Sequence, residues 1–374
     1  MSNEKESNAY ISADEIAQGL AVMERELLYA GLNGCRVERV QIGPDRTVVC
    51  KITPDLAQAA REARLYADVL PKLPDLYPAL LDYAETADAD GSRLAWLVFE
   101  DAGVVTHTFN EQAMAELIGY MAQWHAVPTE GVLLGSERGQ KPDYEEIVAD
   151  LLTELGWNWR GGPTAGAMER EAGAHRSAVA GAAASVTNRP GTNVADASEP
   201  AGEARGDGYS EPLVFGLPEH LVLRVYGQMK QQPPVIVYRL SHGDLHAGNF
   251  GTADDGTLKV LDWEHVHRNS PYWDLYHALD MSHPMFPRTI EDEARERLLA
   301  AYWEQAKAGS VPADREAFMR EYSLFSAVFS LWMLRLIASD LEGDGGPWPR
   351  ERLLRQQEET RAAFLRCAKR LQQG

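Results

Sequence analysis

Between residues 242 and 264 the chain reads His242-Gly243-Asp244-Leu245-His246-Ala247-Gly248-Asn249 and then, ten residues on, Val260-Leu261-Asp262-Trp263-Glu264. Counted from Asp244, an Asp, an Asn and a second Asp stand at offsets of 0, 5 and 18 residues. Oxygen donors so far apart can serve one site only if the chain doubles back between them, which limits the folds open to it. The sequence supplies the means: Asp254-Asp255-Gly256 is a hairpin signal, because Gly accepts the positive φ of a tight turn. Residues 257–261 read as the strand leaving that turn. The β-branched run at 234–238, behind a Pro pair, reads as a strand ending just before the motif. A hairpin between them turns Asn249 and Asp262 toward a common point.

These residue types suit phosphoryl transfer. That reaction needs a carboxylate to take the proton of the attacking hydroxyl, and hard oxygen ligands to hold Mg²⁺ against a triphosphate. Asp244 can be the first, while Asn249 and Asp262 can be the second. Upstream, residues 46–52 form a strand-like run with Lys51 near its end, and residues 60–66 lie on a helix-like stretch carrying Glu62. Taken alone, Lys51 is a strand-edge lysine and Glu62 a solvated helix acid. In register with the downstream carboxylates, they read as a phosphate-binding lysine and the acid that holds it.

With these elements in this order, the chain resembles the aminoglycoside phosphotransferase and choline kinase group, small-molecule kinases with a protein-kinase-like fold. The resemblance implies an α+β, bilobal fold with a small β-rich N-lobe and a larger, mostly helical C-lobe. It implies ATP and Mg²⁺, with Asp244 catalytic, Asn249 and Asp262 on the metal, and Lys51 on the α- and β-phosphates, fixed by Glu62. The apolar run ending at Glu100, Asp101 and Ala102 corresponds to the hinge whose backbone binds adenine. Asp274 matches the acid at the start of the next helix, expected to accept hydrogen bonds from the catalytic-loop backbone rather than to do chemistry. His242 and His246 are expected to shape the loop, and His125 to be a satisfied core residue.

The sequence also departs from the family pattern. No G-x-G-x-x-G precedes Lys51, and residues 41–47, with one Gly and a Pro-Asp turn, stand where the phosphates would be covered. Trp263-Glu264 replaces Phe-Gly after the metal Asp, as on the choline-kinase side of the group. Only 12 positions separate Asp262 from Asp274, too few for a long activation segment, which argues against a protein substrate.

The expected division is a loose tail at 1–12, an ATP-binding lobe at 13–102 and a catalytic lobe at 103–374. Residues 113–125 carry apolar side chains on one helical face. Between 160 and 208 there is no Phe, Trp, Tyr, Leu or Ile, so this stretch reads as a disordered insertion with a short alanine-rich helix at about 165–184. Residues 322–339 are apolar but hold Arg335 and four serines, which suits a buried helix better than a membrane span.

The three cysteines are isolated, which favours a reducing cytoplasm over a disulfide scaffold. The N-terminus is polar and mixed in charge, unlike a signal peptide. A net charge of −20 removes the electrostatic basis for nonspecific nucleic-acid binding. Together with the resemblance, that charge favours a cationic acceptor, drawn by Glu264, Asp280, Asp340, Glu342 and Asp344. The protein is expected to act as a monomer or weak dimer, with neither nucleic acid nor membrane as partner. Two other classes of function share parts of this pattern. A metal-dependent phosphoesterase could use His242-x-Asp244-x-His246 as ligands. A kinase-shaped binding protein would be favoured by loss of Lys51, Asp244, Asn249 or Asp262, and all four are present.

Overall fold

The computed structural model describes residues 12–20, 22–31, 34–87, 91–107, 110–128, 144–154, 157–158, 162–163, 213–343 and 348–372. The expected tail, apart from Ser12, lies outside these residues. So does the expected insertion with its helix, apart from Gly162 and Pro163.

The N-terminal part is a five-stranded antiparallel sheet in the order β1-β2-β3-β5-β4. Its strands are β1 (Glu24–Ala30), β2 (Arg36–Gly43), β3 (Arg46–Thr53), β4 (Leu80–Ala87) and β5 (Arg93–Glu100). Period-two alternation sorts their side chains between two faces. Val48, Cys50 and Ile52 of β3 join Trp96 and Val98 of β5 under the short helix α1 (Ala13–Ala17). That helix is held by a capping box between Ser12 and Glu15 and by Ala13 N–H donating to Asp82. Lys51, between Cys50 and Ile52, must therefore point to the opposite face, where α2 (Leu56–Asp68) packs. Leu97 of β5, paired with Lys51, joins the larger core on that side.

From residue 111 onward helices dominate: α3 (Glu111–Trp124), α4 (Tyr144–Glu154), α5 (Glu219–Gln231), α6 (Pro271–Leu279), α7 (Asp292–Ala306), α8 (Arg315–Glu342) and α9 (Arg350–Arg370). The whole is a mixed α+β fold, with a sheet region followed by a helical one, as the sequence implies. Among the described residues α8 is the one helix long and apolar enough to cross a bilayer. Nearly all its side chains from Phe318 to Leu334 are buried within the protein, against α9, α4 and α6 among others.

The short strands set the site. β6 (Val105–Thr106) pairs with β12 (Phe250–Ala253), which forms a hairpin with β13 (Leu258–Val260) through Gly256 at φ +84°. β11 (Arg239–Ser241) pairs with β14 (His267–Asn269), joining the strand that enters the motif to the one that leaves it. Two-residue pairs, β7 (Trp157–Asn158) with β8 (Gly162–Pro163) and β9 (Leu213–Val214) with β10 (Leu217–Pro218), complete the strands. The strand expected at 234–238 is irregular instead. Pro233 and Pro234 have no N–H to give a ladder, and Val235 N–H donates to the Glu321 carboxylate.

Candidate active site

The loop from His242 to Asn249 is held from behind by a single carboxylate. Asp274, wholly buried at the start of α6, accepts from Ser241 Oγ (2.6 Å) and Gly243 N–H (3.2 Å) on one oxygen. Its other oxygen accepts from His242 N–H (2.9 Å), Trp124 Nε1 (3.1 Å) and His125 Nε2 (3.1 Å). Burial works against ionisation, but the hydrogen bonds from His125 and Ser241 outweigh it and hold the carboxyl well below the usual range. The expected anchoring of the loop backbone is thus seen directly. His125 also receives the Tyr302 hydroxyl at 2.7 Å, a fully satisfied core histidine.

Gly243 has φ +88°, and a Cβ there would fall 2.1 Å from His265 O, so no other residue fits this turn. His242 uses both ring nitrogens within the loop: Nε2 donates to Leu261 O (2.8 Å), and Nδ1 accepts Asp244 N–H (3.3 Å). Burial pushes its pKa down, keeping the ring neutral as this pattern requires. His246 Nδ1 accepts Gly248 N–H at 2.9 Å, while its Nε2 lies 3.8 Å from Asp244 Oδ2. These contacts shape the loop. They also speak against the phosphoesterase reading, since His242 has no nitrogen left for a metal.

The hairpin performs the juxtaposition inferred from spacing. Phe250 pairs with Val260, and Leu261 N–H donates to Asn249 O at 2.7 Å, so Asn249 and Asp262 flank the same hairpin end. Asn249 Nδ2 donates to Asp244 O at 2.7 Å, so Oδ1 is the atom with which it could hold a metal. Asp262 adopts left-handed backbone at φ 59°, ψ 62°, an uncommon conformation that aspartate tolerates better than bulkier residues.

Across the cleft, Lys51 Nζ is buried among three carboxylates: Asp262 at 2.6 Å, Glu264 at 2.9 Å and Glu62 at 3.1 Å. Burial disfavours the ammonium, but the three acids raise its pKa well above the ordinary lysine value. Glu62 goes the other way for a carboxylate: burial, with the charges of Asp262 and Glu264, pushes it up to about 7 despite Lys51. Burial also opposes Glu264, yet Lys51 and His265 hold it well below the usual range. One cation for three acids leaves this cluster with excess negative charge, a setting that favours an added cation.

At the end of β5, Glu100 N–H donates to Ala79 O (2.9 Å). Asp101 accepts Arg39 Nε from β2 (2.7 Å) and Gly103 N–H (2.9 Å), tying the sheet to the turn. Ala102 N–H has no hydrogen-bond partner among the described residues and lies in the cavity wall. That cavity, of about 610 Å³, is lined by Lys51, Glu62, Glu100, Asp101, Ala102, Asp244, Asn249 and Asp262 together.

Three features differ from expectation or escaped it. Among the described residues the turn at 41–47 does not line the cavity; Leu28 and Tyr29 of β1, Val37 of β2 and Cys35 line it instead. Gly31 and Gly34, ahead of the strand before Lys51, are the sequence signal for a close approach there, though the β2–β3 turn is nearer to Lys51 in sequence. Glu264, expected to attract a cationic acceptor, is bound to Lys51. Asp280, expected beside it, is wholly buried under Arg295 (2.6 Å), Arg366 (3.0 Å), Tyr322 (2.7 Å) and Ser326 (3.0 Å). Asp340 and Glu342 are exposed at the end of α8, and Asp344 lies outside the described residues.

No curated protein matches the chain. Among solved structures, macrolide 2′-phosphotransferase MphH from Brachybacterium faecium is similar at 17% identity and a TM-score of 0.50, covering 94% of this chain and 96% of that one. Spectinomycin phosphotransferase APH(9)-Ia is similar at 14% identity and a TM-score of 0.49, covering 94% and 95%. Choline kinase LicA from Streptococcus pneumoniae is similar at 15% identity and a TM-score of 0.47, covering 96% and 97%. The model of the phosphotransferase enzyme family (APH) matches residues 33–318, a span that carries both walls of the cavity from Lys51 to Asp262. This chain belongs to that family.

Proposed function

We propose that the protein transfers the γ-phosphoryl group of ATP to a hydroxyl of a small molecule. The observation that supports this reading is the meeting of all eight residues inferred from sequence in one cavity, with Asp244 and the Lys51 cluster both in its wall. The acceptor oxygen bonds to the γ-phosphorus, the bond to the β-phosphate bridging oxygen breaks, and ADP leaves with that electron pair. Asp244 orients the hydroxyl and takes its proton, a role suited to a carboxylate held by its loop backbone. Lys51 binds the α- and β-phosphates, and Glu62 keeps its ammonium in place. Glu100, Asp101 and Ala102 form the adenine edge, where the Ala102 N–H is available as a donor.

Asn249 Oδ1 and the Asp262 carboxylate would hold Mg²⁺, whose charge would neutralise the phosphates and polarise the bond to the leaving group. The donor set fits: hard oxygen ligands beside a cluster with more acids than bases. The test is ATP turnover over a panel of hydroxyl compounds, with ADP and phosphorylated acceptor both measured. A chain that binds nucleotide yet phosphorylates nothing across a broad panel, and does not hydrolyse ATP slowly, would turn this reading toward a kinase-shaped binding protein.

A further inference from the structure

The catalytic loop forms part of the wall of the first cavity. A second cavity, of about 410 Å³, lies on its far side, within the range of roughly 300–1,000 Å³ typical of small-molecule sites. Met285 and Phe286 line both cavities. So does the loop itself: His246 and Gly248 line the first, and Ala247 between them lines the second. The partition is thin, one loop plus an aromatic layer in which His246 stacks on His283 at 4.6 Å and on Phe286 at 5.7 Å.

The chemistry of the second cavity is distinctive. Met114, Phe250, Leu258, Met281 and Ile290 make most of its wall apolar, and among the described residues no Asp or Glu lines it. Among the described residues its one permanently charged side chain is Arg288, held by Leu279 O (3.0 Å) and by Asp292 (3.5 Å). A polycation placed here would lose hydration, find no carboxylate and face a guanidinium. The acids that might have drawn one are committed elsewhere, Glu264 to Lys51 and Asp280 to Arg295.

We infer that the acceptor is an alcohol with an uncharged, apolar body, its hydroxyl at Asp244 and its body beyond Phe286 in the second cavity. This rests on the phosphotransfer reading above. Each methylene buried there should strengthen binding roughly fourfold, from about 0.8 kcal/mol per CH₂.

The experiment compares propane-1,2-diol, octane-1,2-diol, choline and kanamycin as acceptors at saturating MgATP. Calorimetric titration of octane-1,2-diol in the presence of ADP runs alongside. The octanediol should have a KM at least tenfold below that of the propanediol and a kcat/KM above those of both cations. Ala278→Phe, which fills the cavity from α6, should remove the chain-length dependence; Met281→Trp does the same from the adjoining loop if that variant does not fold. One-to-one binding of octanediol, weakened by either variant but without turnover, would keep the apolar site and overturn phosphotransfer. No binding and no turnover, a tenfold preference for choline or kanamycin, or chain-length dependence unchanged in both variants would overturn the inference itself.

Discussion

Lys51 and Asp274 are both buried charges surrounded by polar partners, yet their surroundings balance in opposite ways. Asp274 has five donors for its two oxygens and a carboxyl held well below the usual range. Lys51 has three carboxylates for one ammonium, and the excess shows in Glu62, pushed up to about 7. Asp280 repeats the pattern of Asp274, with two arginines and two hydroxyls around it. A buried acid whose donors outnumber its needs serves as a fixed post. A cluster with unbalanced charge at the wall of a cavity favours an added cation. The difference separates structural acids from binding acids without reference to any relative.

The largest effect should come from the residue that belongs to neither group. Asp244 lines the cavity, but the posts behind it do not depend on its carboxylate. Asp244→Ala should lower kcat by roughly 10²–10⁴, the range for loss of a positioned acid–base group. ADP affinity should stay within a few-fold, since the carboxylate meets the acceptor rather than the nucleotide. Asp262→Ala should instead weaken nucleotide binding in the presence of Mg²⁺. If the two variants behaved alike in nucleotide titrations, the division of labour along the loop would be wrong.

Next in size is the post itself. Asp274→Asn keeps the shape but loses the charge that five donors share, and should cost about 3 kcal/mol or more, as when a buried charge network is broken. The folded carboxyl is depressed below the ordinary value of 3.8, so its stabilisation is present above that pH and lost as pH falls further. Melting temperature against pH should therefore fall less steeply below about pH 4 in the variant than in the parent chain. Equal slopes would mean that Asp274 is not the tightly held acid that its contacts describe.

Much of the site was legible because its chemistry is written locally. The Asp254-Asp255-Gly256 turn and the strands beside it fixed where Asn249 and Asp262 meet, and the alternation of Cys50, Lys51 and Ile52 fixed which way Lys51 points. What escaped depended on strand order and long-range pairing. Nothing in the sequence near residue 41 says that the ends of β1 and β2, rather than the β2–β3 turn, line the cavity. Nor does the −20 net charge say that Glu264 will spend itself on a lysine over 200 positions away, or that Asp280 will be buried under arginines. Residues 234–238 carry the β-branched side chains of a strand, but the prolines at 233 and 234 lack the donors that a ladder needs.

The smallest effect separates a third setting from the other two. Arg39 and Asp101 pair at 2.7 Å at the cavity rim, with the arginine side chain 26% exposed and the acid 9%. Burial works against the Asp101 carboxylate, but bonds from Arg39, Thr47 and the Gly103 N–H hold it below the usual range. The pair is neither a deep post nor an unbalanced cluster, and water screens part of its attraction. Arg39→Gln should therefore cost no more than about 1 kcal/mol of stability, as for partly exposed ion pairs. Its effect should fall on the hinge, because Arg39 also reaches Glu26 (3.1 Å) and Gly103 O (3.3 Å), linking β1, β2 and the turn beside Ala102. KM for ATP should rise by about two- to fivefold, a loss below 1 kcal/mol of uniform binding, with kcat and acceptor KM unchanged. A fall in kcat at constant KM for ATP would show that the pair acts on the chemical step, and the cleft would then have to be divided differently from the way its charges suggest.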